Sequence, residues 1–154
     1  MARSRFNITT SVRFDRTRQV AALIGLNSQN TVDQAARDLQ TLAYQLSPVD
    51  TGALRNSIYV NNGSTSDYQT RVGTAERLNP DMEALEEIPP EFAISLSGGA
   101  ASGDYITVVG VAAHYGIFLE EGTVNQPPQS FMRPASEAIS DEFQASMARI
   151  ADNV

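Results

Sequence analysis

Pro48 sets the chain's firmest boundary. Ahead of it, apolar residues recur at Val32, Ala35, Ala36, Leu39, Leu42, Ala43 and Leu46, the spacing of one helix face. Thr31-Val32-Asp33-Gln34 has the Ser/Thr-x-x-Glu/Gln form that satisfies free amides at a helix start. A proline pushes the residue before it out of the helical region. The pattern therefore predicts a helix over Val32 to Leu46, closed by Pro48. Asp50-Thr51-Gly52 must then turn the chain.

Past that turn the pattern changes. Leu54, Ser57 and Tyr59 alternate imperfectly with Arg55, Ile58 and Val60, and "SIYV" favours a strand. "NNGSTSD" is a turn cluster, and "YQTRVGT" (Tyr68 to Thr74) reads as a returning strand, giving a hairpin. Residues 76–103 read as a long excursion. "ERLNPDMEALEEIPPE" holds six acids and one arginine, Pro89-Pro90 forbids a continuous helix, and "SLSGGAASG" reads as a mobile tip. Asp104 to Ala113 is the most β-branched strand candidate. "HYGIFLEEGT" predicts a short helix turning Tyr115, Phe118 and Leu119 inward, with Gly122 closing it in the left-handed conformation. Pro134 suits the first turn of a last helix, whose face is Ala135, Ala138, Ile139, Phe143, Met147 and Ile150.

Upstream, residues 1–14 read as a basic arm ending in a short strand, "SVRF". Asp15 to Leu26 reads as a short helix capped by Asp15 and stopped at Asn27, though "VAALIGL" (Val20 to Leu26) also reads as a buried strand. Together these elements predict a single α+β domain over 1–154: a small antiparallel sheet with a helix in the N-terminal half and a long C-terminal helix packed on one face. The chain's 154 residues and 42% hydrophobic content suit one core.

Composition excludes several chemistries. Cysteine is absent, so disulfides, thiolate nucleophiles and cysteine metal sites are excluded, and the single histidine, His114, excludes a multi-histidine cluster. No run reaches the roughly 18 apolar residues of a membrane span, and the N-terminus lacks the apolar stretch of a signal peptide. No membrane partner and no cofactor are expected. All 11 basic residues are arginine. Arg3, Arg5, Arg13, Arg16 and Arg18 face only Asp15 in the first 18 residues, a sum of +4. The remainder, with six arginines and 17 acids, sums to −11. A basic arm on an acidic body implies two surfaces of opposite sign. The arm could meet nucleic acid or an acidic patch on a neighbouring chain, such as Glu83, Glu86 and Glu87.

Asp-Thr-Gly also occurs in aspartic proteases, where a carboxylate on a tight turn shares a proton with its twin across a dimer axis. Gly52-Ala53 and the "TVVG" ending at Gly110 fit that pattern. Against it, the residues before Asp50 have helical rather than strand periodicity, and two helical stretches do not suit an almost all-β fold. Arg55, just past the turn, is placed to pair with Asp50 and hold it ionised. The alternative is a structural turn in which Asp50 accepts backbone hydrogen bonds, Gly52 takes a positive φ and Thr51 caps locally. His114, at a strand end, reads as a boundary residue. Glu120 and Glu121 diverge as adjacent helical side chains and make a poor metal pair. Gly98, Gly99 and Gly103 lack the context of a phosphate loop. Tyr115, Phe118 and Phe131 read as core.

Two separated motifs carry a family resemblance. "SPVDTGALRNSI" resembles the Pro-x-Asp-Thr-Gly-x-Leu-Arg-x-Ser-Ile signature of tail-completion, or head–tail joining (neck), proteins of long-tailed bacteriophages. "HYGIFLEEGT" with "QPPQSFMRPA" resembles that family's second signature through Tyr115, Glu120, Gly122, Thr123, Phe131, Arg133, Pro134 and Ala135. The likeness covers roughly Val32 to Ile150, apart from 76–103. Glu121 and Ser130 depart from it, standing where the family usually has an apolar residue and a proline.

The resemblance implies a non-enzymatic structural virion protein. It would be assembled in the host cytoplasm and sit at the head–tail junction or upper tail, in a homo-oligomeric ring around the DNA channel, beside other neck and tail proteins. A tail terminator or head-closure stopper is the neighbouring reading. Asp50, Thr51, Gly52, Leu54 and Arg55 would then be structural, as would the second motif, with Glu120 meeting Arg133 or Arg55.

Overall fold

The computed structural model describes residues 7–13, 18–87, 93–100 and 103–152. Among them, four strands form one sheet: β1 (Asn7–Arg13), β2 (Ile58–Asn61), β3 (Ala93–Ala100) and β4 (Gly103–Val111), in the order β1-β3-β4-β2. β4 pairs antiparallel with β3 and β2, and β1 joins the edge of β3 in parallel. The helices are α1 (Arg18–Leu46), α2 (Ala53–Asn56), α3 (Tyr68–Leu78), α4 (Gly116–Glu121) and α5 (Met132–Asp152). The α+β class and the long C-terminal helix are as the sequence predicts. The short strand expected at "SVRF" is present as β1, but it begins four residues earlier and pairs in parallel at the sheet's edge.

α1 is one continuous helix of 29 residues. It neither stops at Asn27 nor restarts at Thr31. The Thr31 hydroxyl donates back to the Asn27 carbonyl (2.9 Å), a bond made within a helix rather than at its start. Val32, Ala35, Ala36, Leu39 and Ala43 are buried as predicted, but Leu46 is half exposed. The Ser47 amide still reaches the Ala43 carbonyl (2.9 Å) before Pro48 ends the ladder.

Three further expectations are corrected. Residues 53–56 form a helical turn, so the strand starts only at Ile58. "YQTRVGT" is α3, not a returning strand: Tyr68, Val72 and Ala75 lie four and three residues apart, and Val72 and Ala75 are buried. Without a hairpin partner, β2 pairs instead with β4, nearly 50 residues downstream. Of the expected mobile tip, Ser95 to Gly103, residues 95–100 lie in β3, an interior strand with Ile94 and Leu96 in the core, and Gly103 opens β4. Residues 79–87 form a strap rather than a loose excursion. The Leu85 amide donates to Ala112 (2.7 Å), His114 donates to the Glu83 carbonyl (3.0 Å), and Met82 is buried. Pro89, Pro90 and Asp15 lie outside the described residues.

The main core gathers Leu39, Ile58, Ile94, Val109, Phe131, Met132, Phe143 and Met147 from both long helices and the sheet. Each such side chain contributes about 1.5–3 kcal/mol by burial. Ala138, placed on that face by periodicity, is exposed. Tyr59, next in line to Ile58, belongs to a separate cluster with Val72 and Ala112, supported by Tyr68 and Ala84. Neighbouring strand residues point to opposite faces. α3 and the strap therefore cover part of the face that the long helices leave open.

The outward edge of β2 is closed by side chains. The Val60 amide donates to Asp67 Oδ1 (2.7 Å). The Asp67 amide donates to the Val60 carbonyl (3.2 Å). Gln40 Nε2 donates to the Ile58 carbonyl and to Asp67 Oδ2, both at 2.9 Å. Groups that would template another strand are thus occupied.

Tyr59 is 2% exposed and donates its hydroxyl to the Glu87 carbonyl (3.3 Å). Burial first, then the Glu87 charge, push its phenol above the usual range. Tyr68 and Tyr115 are raised as well, mainly by burial. A folded-state pKa above the unfolded value of about 10 stabilises the fold fully below that pH and progressively less above it. Melting temperature should therefore fall from about pH 10 upward, and Tyr59→Phe should flatten that fall. Thermal melts between pH 8 and 11.5 check this; parallel curves for the two proteins would count against it.

Candidate functional site

The two sequence motifs meet at one corner of the fold. Gly52 takes φ 82, the left-handed region that glycine tolerates. The Thr51 hydroxyl accepts from the Ala53 amide (3.2 Å). Both follow the structural-turn expectation. Asp50 does not: it is exposed, and the structure gives its carboxylate no hydrogen bond among the described residues. Nor does Arg55 pair with it. The Arg55 guanidinium donates to the Ser47 carbonyl (3.2 Å) and lies 4.8 Å from the centre of the Tyr44 ring. It therefore closes the end of α1, where a cation is favoured.

Ser57 ties this motif to the segment leading into the second one. Its carbonyl accepts from the Ala112 amide (3.0 Å) and its hydroxyl from the Ala113 amide (3.2 Å). Gly116, at the start of α4, packs on Leu54 and Val111. Asp50 is near enough to Tyr115 for its charge to help raise the phenol, after burial.

The second motif forms a knot around Glu120, which is 1% exposed. Its Oε2 accepts from the amides of Phe131 (2.8 Å) and Met132 (3.0 Å), and its Oε1 from the amide of Arg133 (2.8 Å). These amides open α5 and have no partner within the helix. A carboxylate there also meets the positive end of the helix dipole. The expected pairing of Glu120 with an arginine side chain is corrected: Arg133 contributes its backbone amide. Spacing did not reveal this role, because the cap comes from another helix, 11 to 13 residues upstream.

The loop between is tied across its base. The Ser130 hydroxyl donates to the Glu120 carbonyl (2.8 Å), and the Gln129 amide to the Leu119 carbonyl (2.7 Å). Gly122 has φ 77 and ψ 175. Its φ is positive as expected, but its ψ is extended, a combination essentially restricted to glycine. Thr123 begins the exposed turn, and Pro134 stands in the first turn of α5. Phe131 is fully buried and Tyr115 half-buried, whereas Phe118, predicted inward, is 56% exposed.

His114 is a boundary residue, as read: its Nδ1 accepts from the Glu83 amide (3.1 Å). The Glu87 carboxylate accepts from Asn61 Nδ2 (2.9 Å) and from the Ser66 hydroxyl within the same subunit. Glu83 and Glu86 remain exposed. Arg3, Arg5 and Arg16 lie outside the described residues; Arg13 ends β1 and Arg18 begins α1.

Among the described residues, no group of three or more His, Asp or Glu side chains is placed to hold a metal ion, and no helix is long and apolar enough to cross a membrane. No known protein family, curated protein or solved structure matches this chain.

Proposed function

We propose that the chain is a structural component of a phage virion, completing the tail or joining it to the head as one subunit of a ring around the DNA channel. The observation that carries this reading is the use to which the motif residues are put. Glu120, Ser57, Arg55 and Thr51 hold helix ends and loops in place, and the Glu120 carboxylate has both oxygens engaged by backbone amides. Residues so committed shape a surface; they are not poised for proton transfer. Exposed acids at Asp38, Asp81, Glu83, Glu86, Glu137, Asp141 and Glu142 suit a component that lets DNA pass without adhering.

A basic arm meeting the next subunit's acidic surface fits a head-to-tail contact that closes by rotation. Because β1 belongs to the sheet, deleting residues 1–18 would remove a strand. Arg3→Gln with Arg5→Gln tests the arm more cleanly. Assembly should need a higher protein concentration in that variant, and an unchanged requirement would discard arm pairing.

Electron microscopy of the protein with purified tails tests the main reading. A symmetric ring at the head-proximal end of the tube is expected. Asp50→Asn separates this reading from an aspartic protease: Asp50 follows a helix rather than the strand such a turn requires. Neither protein should cleave peptides at acid pH. Cleavage by the parent chain that vanishes in the variant would overturn the structural reading.

A further inference from the structure

α1 and α5 pack side by side, and a furrow of about 400 Å³ lies between them. Ala35, Ile139 and Phe143 line it with apolar surface, each at most 8% exposed. Gln34, Asp38 and Glu142 also line it and are open to solvent. No basic residue is among its lining. Asp38 Oδ1 accepts from Gln34 Nε2 (2.9 Å), which leaves its second oxygen to solvent. The Glu142 carboxylate has no partner among the described residues. The furrow thus sets two carboxylates beside a narrow apolar bed. Arginine suits both layers, because its stem lies on apolar surface while its guanidinium reaches carboxylate oxygens.

Charge names the source of such a side chain. Past residue 18 the chain holds six arginines among 17 acids, so copies repel across most of their surface. Attraction between copies falls to the basic first 18 residues. Residues 1–6, ahead of β1, contain Arg3 and Arg5, no acid, and the apolar Met1 and Phe6. Other acidic surfaces suit this segment less. The cleft beside Asp33 and Asp67 contains Arg37, and its carboxylates are taken by Thr107, Asn62, Val60 and Gln40. On the strap, Glu87 is already held by Asn61 and Ser66.

We propose that the furrow between α1 and α5 receives residues 1–6 of a second copy, with Arg3 and Arg5 meeting Asp38 and Glu142. The inference rests on the reading of the chain as a self-assembling ring subunit, and it assigns the arm a particular acceptor. Each subunit then gives one arm and receives one, the head-to-tail pattern that a ring repeats.

Charge reversal tests this, read by sedimentation velocity over a concentration series and by electron micrographs with and without purified tails. Asp38→Arg with Glu142→Arg should raise the concentration for half-assembly by at least about tenfold, since two attractions become repulsions. Arg3→Glu with Arg5→Glu should do the same, and the four changes together should restore assembly. Glu83→Arg with Glu86→Arg, on the strap, should assemble like the parent. Thermal melts show which variants fold; should the furrow reversal not fold, Asp38→Asn with Glu142→Gln replaces it and should weaken assembly in the same direction. Rings formed as readily by the furrow variant as by the parent, or a combined variant no better than either pair, overturn this contact and leave the ring reading intact. A parent chain that forms no ring, alone or with tails, overturns both. Reversals that shift only the melting temperature, and cancel when combined, place the segment in its own subunit's furrow and overturn the exchange between copies.

Discussion

Glu120→Ala is expected to lower stability by about 3–5 kcal/mol. The substitution leaves three backbone amides at the start of α5 without their acceptor, and each buried unsatisfied donor costs about 1–3 kcal/mol. Relaxation and water entry recover part of that sum, while the vacated space adds to it. For a domain of this size the melting temperature should drop on the order of 10 °C. Glu120→Gln keeps the shape and one acceptor but turns a donor toward a donor, so it should fall between parent and alanine. Differential scanning calorimetry of the three proteins checks the order. If Glu120→Ala melted within a degree of the parent, the carboxylate would not be what starts the last helix.

Gly122→Ala should cost roughly 2–4 kcal/mol, for two reasons that add. The backbone at φ 77, ψ 175 strains any residue with a Cβ by about 1–3 kcal/mol. The new methyl would also lie 2.7 Å from Pro128 N and 3.0 Å from the Gln126 carbonyl oxygen. Both are backbone atoms, which cannot swing aside as a flexible side chain does. Chemical denaturation should show a lower midpoint. Proteolysis should cut the variant more readily between 123 and 130, because the brace is lost there first. An equally stable, equally resistant variant would show that the loop accommodates the change.

Local pattern carried part of this fold. The apolar spacing of Val32 to Ala43 survives, and that of Ala135 to Met147 survives except at Ala138, because long helices packed on a sheet need that face. β4 was legible from its β-branched residues, and Gly122 from its place after a short apolar helix. What local pattern missed depends on distant partners. In "YQTRVGT", Tyr68, Thr70, Val72 and Thr74 alternate like a strand, while Tyr68, Val72 and Ala75 are spaced like a helix. Burial against Tyr59 and Ala112 decided for the helix. "SLSGGA" has little side chain of its own, and it is a strand because β1 and β4 supply ladders on both sides. Asp67 looks like any turn acid until Val60 and Gln40 are brought to it. The Glu120 cap was hidden for the same reason, since its ligands belong to a different helix.

The sealed flank of β2 limits how copies of this chain can join. With Asp67 and Gln40 saturating that margin, no neighbour can extend the pleated layer there, and runaway fibre growth is blocked from that side. Any assembly using this flank must grip through side-chain surfaces, whose geometry can fix a finite number of members.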